Sequence, residues 1–210
     1  MPMLSNEQRG LLERSVEEYS RNLTLAEEYL AGRGIDLAHA SSADLGVVVD
    51  PIPGHEYLAG RLAIPYMTPA GPVNMTFRCI KNHDCKVAGH QKYMTWEGLG
   101  ANLYNVVAFE EANASIAIAE GELDALSSSM AGIPCVGISG AEKWKDHWKN
   151  VFEDFARIYV WQEGDDAGKR FAKKISMEVG AIRVPLPAGE DVNSIWVNEG
   201  RDGLRARIRK

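Results

Sequence analysis

The sequence predicts an α/β protein in which a parallel sheet flanked by helices follows a smaller α+β subdomain at the N-terminal end. From residue 111 onward, short apolar segments alternate with segments of helical period, a pattern typical of parallel strands joined by helices. Upstream, helical spacing gives way near Gly60 to a period of two, which indicates helices followed by a hairpin. We therefore expect three parts, namely the subdomain 1–110, the sheet domain 111–188 and a short helical segment 189–210.

Each predicted element has a local signal in the sequence. Ser5 and Gln8 fit a capping box at the start of a helix over 5–23. The segments GRLAIPYM and VNMTFRCI flank the turn residues TPAGP and predict a hairpin with Arg78 on its polar face, against phosphate or water. The predicted elements of the sheet domain are strands at 116–119, 133–138, 157–161 and 181–186, and helices at 122–130, 142–155 and 167–178.

Composition indicates a folded protein of ordinary globular type, with 210 residues, 45% of them apolar and 25% charged. The first ten residues lack the pattern of a signal peptide, and no apolar segment approaches the roughly 18 residues that span a bilayer. We therefore expect a cytoplasmic protein with no membrane partner. The three cysteines predict no structural disulfides. The net charge of −6 argues against broad affinity for nucleic acid, although it leaves room for a local basic track.

Two of the predicted strands end in carboxylates. Glu120 follows the strand that ends at Ala119. Glu163 and Asp165 follow the strand that ends at Trp161. Ligands bind at the carboxyl ends of parallel strands, so these three side chains would converge if the two strands are neighbours. Three close carboxylates require a cation, and oxygen ligands suit Mg²⁺ or Mn²⁺, which favours phosphoryl chemistry.

Helix capping is the alternative role for the aspartates in and near these two turns. Asp124, Asp165 and Asp166 lie where carboxylates cap helices or interact with the helix dipole. Capping does not explain a glutamate at a strand end or an acid-Gly-acid turn, so we favour a functional role for Glu120 and Asp165. For Asp124 and Asp166 both interpretations stay open.

The residues from 78 to 92 form a locally basic segment with a single acid, Asp84. It is the best candidate for contact with nucleic acid, and a solvated loop is the alternative. The same segment contains two cysteines and two histidines, but their irregular spacing, Cys-x3-His-x-Cys-x4-His, argues against zinc. Its candidate ligands are Cys79, His83, Cys85 and His90.

A family resemblance rests on the order of several motifs. The motifs EGELDAL, GISGA, YVWQEGDDAG and PAGEDVNSIW resemble the Toprim domain of bacterial-type, DnaG-like primases. Upstream, the segments YLAGRGI, GRLAIPYMTPAGPVNMTFR and QKYMTWEGLGANLYNV resemble, in the same order, the segment that precedes Toprim in the primase catalytic core. The resemblance covers roughly residues 24–208 and implies a Toprim-type parallel sheet.

The resemblance also implies roles for individual residues. The implied catalytic residues are Glu120, Asp124 and Asp165, and the implied ligands of Mg²⁺ or Mn²⁺ are Glu120, Glu163, Asp165 and Asp191. The candidates for nucleotide or template contact are Arg61, Arg78, Lys81, Lys86 and Lys92, of which the resemblance itself supports Arg61, Arg78 and Lys92. Three positions depart from the family pattern: Glu163 replaces an aspartate, Asn193 replaces a late acid, and Glu190 replaces a lysine.

The function implied by the resemblance is that of a DNA primase catalytic core, a nucleotidyltransferase that makes short RNA primers on single-stranded DNA during replication. Its partners would be the template and nucleoside triphosphates. The sequence lacks the zinc ribbon and the helicase-binding domain of many such primases, so a replicative helicase or a separate zinc-ribbon chain are further candidate partners. The alternatives are a metal-dependent Toprim nuclease and a non-catalytic Toprim module that binds nucleic acid or a partner protein.

Overall fold

The structure is a computed structural model that describes residues 4–208. It divides the chain into two compact units, with the boundary between Asn102 and Leu103. The domain boundaries after residues 110 and 188 that we expect from the sequence stay a prediction. Within the described residues, no helix combines the length and the apolar character needed to cross a membrane.

The first unit begins with three helices. Ser5 caps the first of them through the predicted capping box, in which its hydroxyl accepts from Gln8 N at 3.1 Å and its own N–H donates to Gln8 Oε1 at 2.9 Å. The expected helix ends earlier, at Ser20, and a 3-10 turn over Leu23–Ala26 follows it. The helices are α1 (Asn6–Ser20), α2 (Glu27–Ala31) and α3 (Leu37–Ser42).

A four-stranded antiparallel sheet completes the first unit, and its central hairpin is the predicted one. The two long strands pair from Arg61↔Cys79 to Thr68↔Gly71, with an irregularity between Tyr66 and Met67. One face of this sheet covers a core that includes Leu12, Tyr19 and Phe77. The strands, in the spatial order β1-β2-β3-β4, are β1 (Gly46–Val47), β2 (Arg61–Thr68), β3 (Gly71–Cys79) and β4 (Tyr93–Thr95).

The second unit contains the predicted parallel sheet. Its strands are largely buried because helices cover them, as is typical of parallel sheets. The strands, in the spatial order β6-β5-β7-β8, are β5 (Ser115–Ala119), β6 (Cys135–Gly137), β7 (Arg157–Gln162) and β8 (Ile182–Pro185). The helices are α4 (Ala108–Glu111), α5 (Glu122–Met130), α6 (Asp166–Val179) and α7 (Val192–Ile208), the last interrupted by non-helical backbone at Gly200.

The long helix predicted over residues 142–155 is wrong. The chain there forms two 3-10 turns, Ala141–Lys143 and Asp146–Phe152, and the backbone of Trp144 between them is not helical. Trp144 and Trp148 are both buried, and their rings meet edge to face with centroids 5.8 Å apart. Burial of these large rings thus overrides the helical spacing of the apolar residues in this segment.

Two glycines allow a tight turn after β7. A Cβ atom at Gly164 would overlap the carbonyl oxygen of Pro187, and one at Gly168 would lie 2.5 Å from Glu163 Cβ. The turn is held on one side by Gly164 N, which donates to Glu190 O at 3.3 Å. The absence of a side chain at Gly168 therefore lets Glu163 pack directly against the first turn of α6, and its absence at Gly164 lets the backbone of residues 187–189 approach the turn.

Gly168→Ala is expected to lower the free energy of unfolding by about 1–3 kcal/mol, because the added methyl group must displace Glu163 or the start of α6. Gly10→Ala in α1 is the matched control. A Cβ atom at Gly10 would find only a terminal nitrogen of Arg14, at 3.4 Å, and alanine favours a helix over glycine by about 0.5–1 kcal/mol. Urea denaturation measures both variants, and a Gly168→Ala protein as stable as Gly10→Ala would contradict the close packing of this turn.

Candidate active site

The sheet topology brings the two acidic strand ends together. β5 and β7 are adjacent and parallel, in a register that runs from Ser115↔Arg157 to Ile118↔Val160. Glu120 directly follows β5, and Glu163 directly follows β7. Both therefore lie at the same edge of the sheet, where the loops lead into the helices α5 and α6. This is the edge at which open parallel sheets bind ligands.

Asp124 joins this edge from the first turn of α5. Its Oδ1 accepts a hydrogen bond from the backbone N–H of Asn193 at 2.9 Å, and the side-chain amide of Asn193 donates to Ser127 Oγ at 2.9 Å. Gly121 leaves room for this carboxylate, since a Cβ atom there would lie 2.7 Å from Asp124 Oδ2. Asn193 thus fixes α7 against α5 and orients Asp124.

Asp165 and Asp191 both lie just before helices and act as caps. Asp165 Oδ1 accepts from Gly168 N at 2.7 Å at the start of α6. Asp191 Oδ1 accepts from Ser194 N at 2.6 Å, and Ser194 Oγ accepts from Asp191 N at 2.9 Å. The bonds from Gly168 N and Ser194 N each use one carboxylate oxygen. Asp165, for which we favoured a functional role over capping, therefore does cap its helix, and this cap is compatible with a second role for the other carboxylate oxygen.

The electrostatics show that these carboxylates lie close to one another. Burial, followed by the negative charges of Asp124, Glu120, Asp191 and Asp165, raises the pKa of Glu163 to about 8. Burial also raises the pKa of Glu120, and the charges of Asp165, Glu142 and Asp124 add to this shift, while Arg170 opposes it. The ionised forms of both glutamates are thus disfavoured by desolvation and by mutual repulsion.

The donor set fits a hard divalent cation. All five carboxylates offer oxygen atoms, which suit Mg²⁺ or Mn²⁺, and a cation would relieve the repulsion that raises the glutamate pKa values. The five are Glu120, Asp124, Glu163, Asp165 and Asp191, and we refer to them as the acidic cluster.

Two charged residues near Glu120 were missed by the sequence analysis. Glu142 raises the pKa of Glu120 and Arg170 lowers it. Glu142 belongs to the turn that follows β6, so its position after a third parallel strand was a usable signal. Arg170 had no comparable signal, because it is one of four cations on an amphipathic helix, and nothing in their spacing distinguishes it from the other three.

The basic candidates all belong to the first unit, and two of them are buried. Arg61 donates to the carbonyl oxygens of Gln91 at 3.0 Å and Lys92 at 3.3 Å. Arg78 is only 5% exposed, and its guanidinium carbon lies 4.8 Å from the ring centroid of Tyr93 and 5.6 Å from that of Tyr29. The expectation that Arg78 is solvated is therefore wrong, because aromatic rings cover it, whereas its contact with phosphate stays a prediction. The exposed basic candidates are Lys81, Lys86 and Lys92.

Sequence comparison places the chain among phage and bacterial proteins. Residues 117–196 match a family model described as Toprim-like. The chain is 39% identical over 150 residues to the gene 57 protein of Mycobacterium phage D29, covering 71% of this chain and 98% of that protein. It is 31% identical over 121 residues to the DNA primase of Pseudomonas aeruginosa, covering 52% of this chain and 18% of that primase.

Structure comparison also finds primases, and the similarity extends over nearly the whole chain. The zinc-binding and RNA polymerase domains of the Aquifex aeolicus primase superpose with a TM-score of 0.78 at 23% identity, covering 98% of this chain and 62% of that one. A DnaG primase catalytic domain bound to single-stranded DNA superposes with a TM-score of 0.75 at 19% identity, covering 96% of this chain and 77% of that one. The chain belongs to the same family as the gene 57 protein of Mycobacterium phage D29, contains a Toprim-like region and has the fold of DnaG primase catalytic cores. The expected Toprim-type sheet is thereby confirmed.

Within this DnaG-like core, the departures from the family pattern have visible consequences. The additional methylene of Glu163 lies on the residue whose Cβ packs against Gly168. Asn193, which stands in place of a late acid, is buried and holds Asp124 through its backbone N–H. Asn193 therefore acts in this DnaG-like core as a positioning residue for a member of the acidic cluster.

Glu163→Gln is expected to stabilise the metal-free protein increasingly as the pH rises. In the folded protein Glu163 keeps its proton up to a pKa of about 8, whereas the unfolded chain releases it near 4.5. Wild type therefore loses stability between these pH values, and glutamine, which cannot ionise, does not. With allowance for partial solvent contact, the gain at pH 9 is about 1 kcal/mol, or about 2–4 °C in Tm.

Thermal denaturation in a chelator at pH 5, 7 and 9 measures this trend. Glu178→Gln, at an exposed position of α6, is the control and is expected to show no such trend. A difference between wild type and Glu163→Gln that stays constant from pH 5 to pH 9 would contradict the raised pKa.

Proposed function

We propose that this chain is the catalytic core of a DNA primase, a nucleotidyltransferase that makes short RNA primers on single-stranded DNA during replication in the cytoplasm. The observation that carries the proposal is the convergence of the acidic cluster at the carboxyl ends of β5 and β7 in a DnaG-like core. Nucleoside triphosphates would be its substrates.

Mg²⁺ or Mn²⁺ is the proposed cofactor, held by Glu120, Glu163, Asp165 and Asp191. When bound, the ion would neutralise phosphate charge and stabilise the oxygens that attack and leave during nucleotidyl transfer. The caps formed by Asp165 and Asp191 fix the orientation of their carboxylates before any ligand arrives, because Gly168 N and Ser194 N each hold one oxygen. Such fixed orientation favours catalysis because less reorganisation is needed when the substrate binds.

Glu120 and Asp124 are the proposed catalytic residues beside the ion. Burial and the neighbouring carboxylates raise the pKa of Glu120 and make it a stronger base than an ordinary glutamate, so we assign it the proton of the attacking 3′-hydroxyl group. Arg170 limits this shift and would keep Glu120 available as a base. Asp124, held by the backbone of Asn193, would keep its second oxygen directed at the reacting groups.

Template contact is assigned to the exposed lysines Lys81, Lys86 and Lys92. Their charges suit phosphate groups of single-stranded DNA, and binding through them would weaken with salt. The related catalytic domain described as bound to single-stranded DNA supports a DNA ligand for this fold. Arg61 and Arg78 are both buried, so they would support the backbone beneath this surface and would not contact the DNA directly. A replicative helicase or a separate zinc-ribbon chain would supply template selection.

Primer synthesis is tested on one denaturing gel with single-stranded DNA, labelled nucleoside triphosphates and Mg²⁺ or Mn²⁺. We expect short new oligomers from wild type, and their loss by about 100-fold or more in Glu120→Gln and Asp165→Asn, a loss typical of removing one catalytic group. Asparagine is a good helix cap, so Asp165→Asn removes charge while keeping the start of α6.

Asp166→Asn is the matched control, because Asp166 is exposed and pairs with Lys169 at 3.2 Å on the helix surface. It is expected to synthesise primers at the wild-type rate. Shortening of end-labelled input strands without new oligomers would replace the primase with a Toprim nuclease. DNA binding without any turnover, even with a zinc-ribbon protein added, would favour the non-catalytic module.

A further inference from the structure

Four potential metal ligands meet in the loop that joins β3 to β4. Cys79 is the last residue of β3, and His83, Cys85 and His90 follow within the loop. One ligand atom from each of the four lies within 4.8 Å of all the others. All four residues belong to the first unit, so this group is separate from the acidic cluster in sequence and in chemistry.

The distances between these atoms approach those of a tetrahedral zinc site. Cys79 Sγ lies 3.5 Å from His83 Nε2, and His83 Nε2 lies 2.9 Å from His90 Nε2. Zinc bonds of 2.3 Å to sulfur and 2.0–2.1 Å to nitrogen place tetrahedral ligand atoms about 3.3–3.8 Å apart. Small side-chain adjustments would therefore let all four atoms contact one ion.

The second nitrogen of His90 is placed as in histidines that bind metal. His90 Nδ1 lies 3.0 Å from the carbonyl oxygen of Gln91, so an N–H at this position donates to the carbonyl. Arg61 Nη2 donates to the same carbonyl at 3.0 Å and lies 3.4 Å from Nδ1. With the proton of His90 on Nδ1, the Nε2 lone pair faces His83 Nε2, and a metal ion between these two nitrogens would be bound by both.

The loop has little else to hold it together. Val87 at its centre is 86% exposed, and Asp84 organises only a local turn by accepting from Lys86 N at 2.8 Å. His90 N donates to Cys85 O at 2.9 Å and brings the two halves of the loop together. Without a buried apolar core, a bound metal is the usual means of stabilising a segment of this kind.

We propose that Cys79, His83, Cys85 and His90 bind one Zn²⁺ ion as a closed structural site. Two thiolates would balance the charge of the ion, and two neutral imidazoles would complete its tetrahedral ligand set. The irregular sequence spacing argued against zinc, but the turn at Asp84 compensates for it by folding the ligands onto one point. If the chain acts as proposed above, the ion would also fix the loop that carries Lys81 and Lys86.

Metal analysis of the full, untagged chain by mass spectrometry tests this inference without nucleic acid or turnover. We expect one zinc per chain in wild type, and replacement by Co²⁺ should give the absorption of a tetrahedral site with thiolate ligands. Removal of a residue that only hydrogen-bonds to a metal ligand typically lowers metal affinity about 10–100-fold. Cys85→Ser and His90→Gln each remove a ligand itself, so each should weaken zinc binding by at least about tenfold.

His147→Gln, at an exposed position of the second unit, is the matched control and is expected to keep the wild-type zinc content. Wild-type protein that holds no zinc after reconstitution, or that contains a Cys79–Cys85 disulfide in its place, would overturn the inference. Zinc content unchanged in both ligand variants would overturn it as well. The Co²⁺ spectrum of wild type decides the matter if the variants do not fold.

Discussion

Repulsion between carboxylates at one edge of a parallel sheet is the constraint on which the second unit depends. β5 and β7 are neighbours, so the chain cannot place acids after both strands without bringing their charges together. Burial raises the pKa of Glu120 and of Glu163, and this repulsion raises both further. A folded domain tolerates such repulsion when a proton or a cation relieves it, and a site that can exchange one for the other is suited to function.

The surrounding backbone maintains this repulsive arrangement. The backbone amides of Gly168, Asn193 and Ser194 each hold one aspartate of the acidic cluster. None of these bonds neutralises charge, but each removes the freedom of a carboxylate to turn away from its neighbours. The turn glycines contribute in the same way, since Gly168 lets the backbone of Glu163 approach α6. The cluster is therefore preorganised by hydrogen bonds at helix ends and by close packing.

Much of this arrangement could be predicted from the sequence because it follows from local pattern and topology. Strands ending in acids, with helices after them, predict where Glu120, Glu163 and Asp165 lie once parallel pairing is assumed. Burial was harder to predict. Strict alternation along β3 suggests a polar face, yet Asn74, Thr76 and Arg78 on that face are buried. The segment that contains Trp144 and Trp148 was predicted as a helix because tertiary burial of both rings is not visible in local spacing.

The cysteine and histidine group shows why ligand spacing is a weak guide to a metal site. Spacing rules assume regular elements, whereas the side chain of Asp84 folds this loop through backbone bonds that the sequence does not reveal. Conversely, the acidic cluster draws on residues as distant in sequence as Glu120 and Asp191, which the parallel sheet and the packing of α7 against α5 bring together. In both cases three-dimensional proximity decides which side chains can share a ligand.

Binding of Mn²⁺, followed by electron paramagnetic resonance in the absence of DNA and nucleotides, tests the acidic cluster most directly. Wild type should bind the ion, and Glu163→Gln and Asp165→Asn should each weaken binding by at least about tenfold, equivalent to about 1.4 kcal/mol. Asp166→Asn should bind as wild type does, since its carboxylate pairs with Lys169 on the surface of α6. Equal Mn²⁺ affinity in all four proteins would contradict the central claim that these strand-end carboxylates form one cation site.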